Sequence, residues 1–295
     1  MNPFDLPGPL FLLFYLVFGQ IVLIVASMIR RSRERALSGG PTVQTAKLAV
    51  DPYVIAQLRG GANETLRVAA ISLVDRKLVR SDGSKLHTSV GVTDKHVQRR
   101  VEQYIVNKYA SVGEASELFS DKEAKRLCDE YDEMLKRMRL LPDAAIQAAR
   151  KPVFWYAFAL LGGIALLKIM VALSRGRTNI GFLILMAAVF IFFLGSHTFQ
   201  RRTVLGEEFL ADLKRLFDGL KSRASSLQEF AGSNEVVMLA AIFGATALPP
   251  SKFTWVPQLF PQASSSSSGS SSSCGSSCGS SCGGGCGGGC GGCGG

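Results

Sequence analysis

Histidine is almost missing from this 295-residue chain: it occurs three times, and of seven cysteines only Cys128 lies outside residues 264–295. The body of the protein therefore holds only four imidazoles and thiols, and they are scattered along the chain instead of clustering as the ligands of a structural zinc centre do. His87, His96 and His197 stand apart, none with a Cys or carboxylate at metal-ligand spacing. No Walker loop, G-x-G-x-x-G fingerprint, H-E-x-x-H pair or G-x-S-x-G elbow occurs, which excludes the recognisable phosphate cradles, zinc helices and activated serines. Residues 1–9 carry no basic side chain, so a cleaved signal peptide with its positive n-region is not expected. Residues 264–295 contain only Ser, Gly and Cys, so nothing apolar offsets the roughly 1–2 kcal/mol that ordering each backbone residue costs. With no catalytic constellation in view, the chain reads as a non-enzyme.

What the chain does have is apolar sequence in blocks, the mark of membrane spans. Residues 10–29 (LFLLFYLVFGQIVLIVASMI) hold no charge and, at about 1.5 Å per residue, cover the roughly 30 Å hydrocarbon core. Arg30, Arg31, Arg33 and Arg35 follow at once, so the positive-inside rule puts residues 1–9 outside and the arginines in the cytoplasm. Residues 153–173 form the second span, entered from Arg150 and Lys151, with Trp155 and Tyr156 at the interface. Lys168 is close enough to its end to snorkel outward along its methylene stem. Residues 180–198 form the third span and return to Arg201 and Arg202, leaving a short external hairpin. Ala159 and Gly163 make a small-xxx-small pair that lets helices approach. The expected location is the inner membrane, multi-pass, with the lipid bilayer as the first partner.

Residues 30–151 carry 23 Lys and Arg against 16 Asp and Glu. That balance suits an anionic leaflet or nucleic acid, and also follows from cytosolic positive-inside bias. Within 52–110, a short helix stops at Arg59-Gly60-Gly61 and a second resumes over 64–78 with Leu66, Ala70, Leu73 and Val74 on one face. Asp82-Gly83 marks a hairpin, and residues 94–109 place Val97, Val101, Tyr104 and Ile105 at helical spacing. Helix, helix, hairpin, helix is a winged-helix-like order. A DNA-binding version would use Arg67, Arg76, Lys77, Arg80 and Lys85. The Ala, Leu and Val content of 64–78 suits packing better than groove readout, so an unknown protein partner is preferred to nucleic acid. A capping box, Ser120-Asp121-Lys122-Glu123, opens a long helix over 121–141. Its stripe of Ala124, Cys128, Tyr131, Leu135 and Met138 makes Cys128 a buried small hydrophobe.

Beyond the third span, residues 204–262 read as amphipathic helices: Leu205, Phe209, Leu213, Leu216, Phe217 and Leu220 share one face, which packs on the basic domain in preference to the leaflet. The apolar run 236–248 is shorter than the roughly 17 residues of a span and is read as a core or re-entrant helix. A fourth crossing there would carry the tail into an oxidising compartment. In the disordered tail, residues 263–295, Cys274, Cys278, Cys282, Cys286 and Cys290 recur every four residues and Cys293 follows. Six thiolates without His or carboxylate would favour zinc or copper(I), and a redox response is the other thiol chemistry open to them.

The span, the Leu58-Arg59-Gly60-Gly61 turn before an Ala/Leu-rich helix, the Arg202-Thr203-x-x-Gly206 exit and the Ser/Gly/Cys tail resemble an uncharacterised bacterial membrane-protein family with low-complexity, Gly/Cys-rich carboxyl ends. The resemblance implies architecture and brings no catalytic residues. The expected fold is mainly α: a three-span helical membrane protein with a small cytosolic winged-helix-like domain and a disordered tail. Its expected role is interaction or scaffolding.

Overall fold

A computed structural model describes residues 8–38, 51–89, 91, 97, 99–174, 181–224, 230, 232 and 234–261. In chain order the elements are α1 (Gly8–Ser38), α2 (Pro52–Gly60), α3 (Ala62–Asp75), β1 (Val79–Asp82), β2 (Lys85–Thr88), α4 (Arg100–Lys108), β3 (Gly113–Glu114), α5 (Glu117–Ser120), α6 (Lys122–Arg137), α7 (Ala144–Ser174), α8 (Gly181–Thr198), α9 (Val204–Leu216), α10 (Asp218–Ser222), α11 (Asn234–Phe243) and α12 (Trp255–Leu259). The protein is mainly helical, and three helices are long and apolar enough to cross a membrane: Leu10–Leu37, Ala144–Ser174 and Gly181–Thr198.

These three pack as a bundle along one stripe each. Phe11, Tyr15, Val22 and Ala26 of α1 meet Val153, Ala157, Leu161 and Ala165 of α7 and Leu183, Ala187, Phe190 and Leu194 of α8. The steps of three and four are those of a single helix face. Gly19 lets the Phe190 ring in, since a Cβ there would fall 2.6 Å from its Cζ. Tyr15 donates its hydroxyl proton to the Leu161 carbonyl at 3.1 Å, satisfying a phenol that lipid could not. Lys168 lies over the Phe11 ring, 4.4 Å from its centroid. Two helices run past the apolar blocks that announced them. α1 continues to Ser38 through its charged turns, and α7 starts at Ala144, capped by the Asp143 carboxylate that accepts the Ile146 N–H at 2.8 Å. Pro152 sits inside α7, removing one backbone donor without ending the helix.

The remaining elements form a head with one core drawn from both sides of the α7–α8 pair. Helix α3 buries Leu66, Val68, Ala69, Ala70, Ile71, Leu73 and Val74, and α11 lies against α2 and α3 with Val236, Val237, Leu239, Ala240, Ala241 and Ile242 buried. The 236–248 run is thus a core element of the head. Its ten-residue helix, Asn234–Phe243, is about 15 Å long, half the hydrocarbon thickness. Helices α9 and α10 join the same core through Leu210, Leu213 and Leu220.

Three local boundaries differ from expectation. In the hairpin Asp82 pairs with Lys85, so the two-residue loop is Gly83-Ser84, with Gly83 at φ +59°, one position later than Asp82-Gly83. Asp121, not Ser120, caps α6, accepting the Glu123 N–H at 2.9 Å. That helix ends at Arg137 and not near residue 141, because Arg139 turns left-handed at φ +58° and Leu140 N–H returns to the Leu135 carbonyl at 3.0 Å. Residues 94–96 and 98 of the expected 94–109 helix, His96 among them, lie outside the described residues.

Candidate functional site

The buried stripe of α1 does not stop where the apolar block stops. Counting on from Tyr15, Gly19, Val22 and Ala26, the next positions on that face are Arg30 and Glu34, 4% and 1% exposed. On α7 the stripe Leu161, Ala157, Val153 extends in the same way to Arg150, 2% exposed. All three charges lie inside the protein where the bundle meets the head.

Arg150 organises them. Its Nε donates to Glu34 Oε1 at 2.7 Å, its Nη1 to the Gln200 carbonyl at 2.5 Å and its Nη2 to the Arg202 carbonyl at 2.9 Å. The other Glu34 oxygen, Oε2, accepts the Val204 backbone N–H at 2.9 Å. Glu34 thereby caps the first turn of α9 from a different helix, putting a negative charge where the helix dipole is positive. Arg30 Nε stands 3.9 Å from Glu34 Oε1. Among the described residues no acceptor takes the hydrogens of Arg30 Nε or Nη1, and Gln200 Oε1 likewise finds no donor. Burying this many charges requires hydrogen bonds as well as pairing, and Arg150 and Glu34 have both.

Outward from this cluster, the two glycine-bearing segments of the sequence meet. Thr203 caps α9 through its hydroxyl, which accepts the Gly206 N–H at 3.1 Å and donates toward the Arg139 carbonyl at 2.7 Å. Gly206 lies against the chain before α7: a Cβ there would be 2.3 Å from the Leu140 carbonyl oxygen. Arg202 Nη2 donates to the Arg59 carbonyl at 3.0 Å, and Arg59 Nε donates to the Ala241 carbonyl at 2.8 Å. Arg59 also pairs with Glu64, which pairs in turn with Arg67. Burial pulls the Arg59 and Arg202 guanidinium groups below their ordinary values, with Glu64 opposing at Arg59 and Glu207 at Arg202. Arg59 and Arg202 therefore stitch α2, the exit from α8 and α11 together.

The other sequence-selected residues scatter. Arg67 is enclosed beside Glu64 and lies 5.0 Å from the Phe119 ring centroid, Arg76 pairs with Glu102 at 3.1 Å, Lys77 is exposed 5.9 Å from the Phe230 ring centroid, and Arg80 and Lys85 are exposed on the hairpin. His87 is half-buried on β2 and His197 is exposed at the end of α8. Cys128 is fully buried, and desolvation pushes its thiol up to about 12. Cys274, Cys278, Cys282, Cys286, Cys290 and Cys293 lie outside the described residues. Among the described residues no three His, Cys, Asp or Glu side chains group as a metal ion would need. Tyr53 donates to the Glu102 carboxylate, and burial, with that carboxylate, raises the phenol well above its ordinary value. It is a held donor and not a base.

The junction of Arg30, Glu34 and Arg150 escaped the sequence reading, which counted Arg30 as a topology signal and Arg150 as the entrance to the second span. The signal available was the helical count: positions 30, 34 and 150 fall on the stripes defined by the apolar residues before and after them. No protein-family model, curated protein or solved structure matches the chain.

Proposed function

We propose that the chain is an integral membrane interaction protein, not an enzyme, whose head is fixed at the membrane surface to receive a protein partner. The observation that carries this reading is the buried Glu34–Arg150 join, which ties the ends of α1, α7 and α8 to the first turn of α9. In this reading residues 1–9 face the outside of the inner membrane, and the head and tail face the cytoplasm, the arginine-rich ends being retained there.

The helix, helix, hairpin, helix order supports a winged-helix-like shape for 52–110. The burial of α3 on nearly every side supports protein contact over DNA readout, because a groove-reading helix must present an exposed face. The alternatives are soft-metal binding or redox response by the tail thiols and a membrane-tethered DNA regulator.

The test places a photo-crosslinking residue at exposed head positions Lys85 and Glu133 of the full chain in cells, with lipid-facing Leu166 as control. A discrete protein adduct from a head position and none from Leu166 is the expected result; adducts from neither head position would overturn the reading. Retention of duplex DNA by the full chain, with a steep fall in salt, would move it to the DNA regulator. Higher metal content in the full chain than in one ending at residue 262 would establish the metal reading.

A further inference from the structure

The join between bundle and head sorts the cations of the membrane-proximal end into two groups. Arg30 and Arg150 are buried around Glu34. Further out, Arg35 pairs with Glu208 at 2.7 Å and Arg201 with Asp132 at 3.2 Å. After these pairings Arg31, Arg33 and Lys151 are left: all three are exposed, and no carboxylate among the described residues pairs with them.

Their depth is fixed by the join itself. Arg150 touches both Glu34 and the Gln200 carbonyl, so residues 34, 150 and 200 share one level. A turn or two further along α1 and α7, large apolar side chains begin to face outward, Met28 and Ile29 on α1 and Trp155 and Tyr156 on α7, while beside α8 Phe199 is already 53% exposed next to Gln200. Trp155 and Tyr156, 63% and 78% exposed, have the amphipathic rings that settle at a bilayer interface. Arg31 follows Ile29 by two residues, about 3 Å along the axis, and Lys151 precedes Trp155 by four, about 6 Å. Along α1 and α7 the three unpaired cations therefore stand just outside the apolar boundary.

We propose that Arg31, Arg33 and Lys151 are separate contact points, spaced around the join, for the phosphate headgroups of anionic phospholipids, whose acyl chains lie along Met28, Ile29 and Trp155. This rests on the reading that the three helices cross a bilayer. Guanidinium forks suit phosphate oxygens, and Lys151 supplies a point charge on α7. The chemistry favours phosphatidylglycerol-like lipids over zwitterionic ones, because a choline or ethanolamine head cancels the phosphate charge.

The test uses the full chain in phosphatidylcholine vesicles with trace spin-labelled phosphatidylglycerol or spin-labelled phosphatidylcholine, read as the motionally restricted fraction of each. Preference for phosphatidylglycerol is expected, weakening as sodium chloride is raised. R31Q/R33Q/K151Q should remove most of it, a contacting cation being worth about fivefold in association. The variant's unfolding temperature in detergent should match wild type, since all three positions are exposed. Equal restriction of the two lipids, or preference undiminished in the triple variant, would overturn the lipid contacts while leaving the spans intact. Restriction of neither lipid would remove the spanning reading and this proposal with it. Equal restriction of the two lipids, together with inorganic phosphate retained by wild type and lost in the triple variant, would assign the cations to a free anion and overturn the lipid assignment.

Discussion

In the three-helix bundle each helix hides one stripe and turns its other faces outward, whereas in the head α3 and α11 are covered on nearly every side. Between 17% and 22% of each span's most apolar stretch is buried within the protein. The two regions use the same residue types for different purposes. A leucine on a span is mostly a solvent-matching residue, and a leucine in α3 or α11 is a packing residue. At the join the rules of both regions overlap, and charge is buried on the stripe that is apolar higher up.

Glu34 should carry the largest single effect. Glu34→Gln leaves Arg150 and Arg30 buried without a carboxylate, and about 3–5 kcal/mol of stability is expected to go, read as earlier thermal release of the head from the bundle. Glu208→Gln, which breaks an exposed pair with Arg35, should cost between about 0 and 1 kcal/mol. The triple change Glu34→Leu, Arg30→Met and Arg150→Met, which removes every charge of the cluster, should recover part of the loss; if it does not, the join is more than a paired burial.

Leu239→Ala in α11 should cost about 2–5 kcal/mol in denaturant unfolding of the head. Leu166→Ala, outward on α7, should stay within about 0.5 kcal/mol. Similar costs at the two sites would break the contrast between the regions. Gly206→Ala should lose about 1–3 kcal/mol, because its methyl meets a backbone carbonyl that cannot swing away.

Acid should act on the head through Asp121. Hydrogen bonds from Lys108 and Tyr104 hold its carboxyl well below the usual carboxylate range. A folded-state value below the unfolded one means the contribution is present above about pH 4 and is lost as pH falls toward the folded value. Unfolding midpoints measured across that window should fall for wild type and flatten in Asp121→Asn. The smallest effect is a gain: Arg139→Gly removes a side chain from a left-handed position and should stabilise by about 0.5–1 kcal/mol, visible as a higher urea midpoint.

The spans were legible because a bilayer imposes length and apolarity directly on the sequence. The join was not, although its residues lie on those spans. Hydropathy stops counting at the first charge, and the partner of Glu34 is 116 residues away along the chain. Helix α11 was half legible: its run was too short for a span, but a helix buried all round has no polar face to set its phase, so nothing in 236–248 named α2 and α3 as its neighbours. Amphipathic α9 was half legible too: Leu213 and Leu220 of the expected face turn inward, but Leu216 is exposed and Leu210, outside that face, is buried. The capping box fixed the start of α6 to within a residue; choosing between Ser120 and Asp121 needed Lys108 and Tyr104, which hold the Asp121 carboxylate from another helix.

Because the head is assembled from segments on both sides of α7 and α8, its folding is ordered in time by synthesis. At about 5–20 residues per second, α2 and α3 leave the ribosome on the order of ten seconds before α11 exists to cover them. During that interval α7 and α8 are made as well, while the apolar faces of α2 and α3 that α11 covers stand open. The arrival of α11 therefore sets the moment at which α2 and α3 become protected from aggregation and proteolysis.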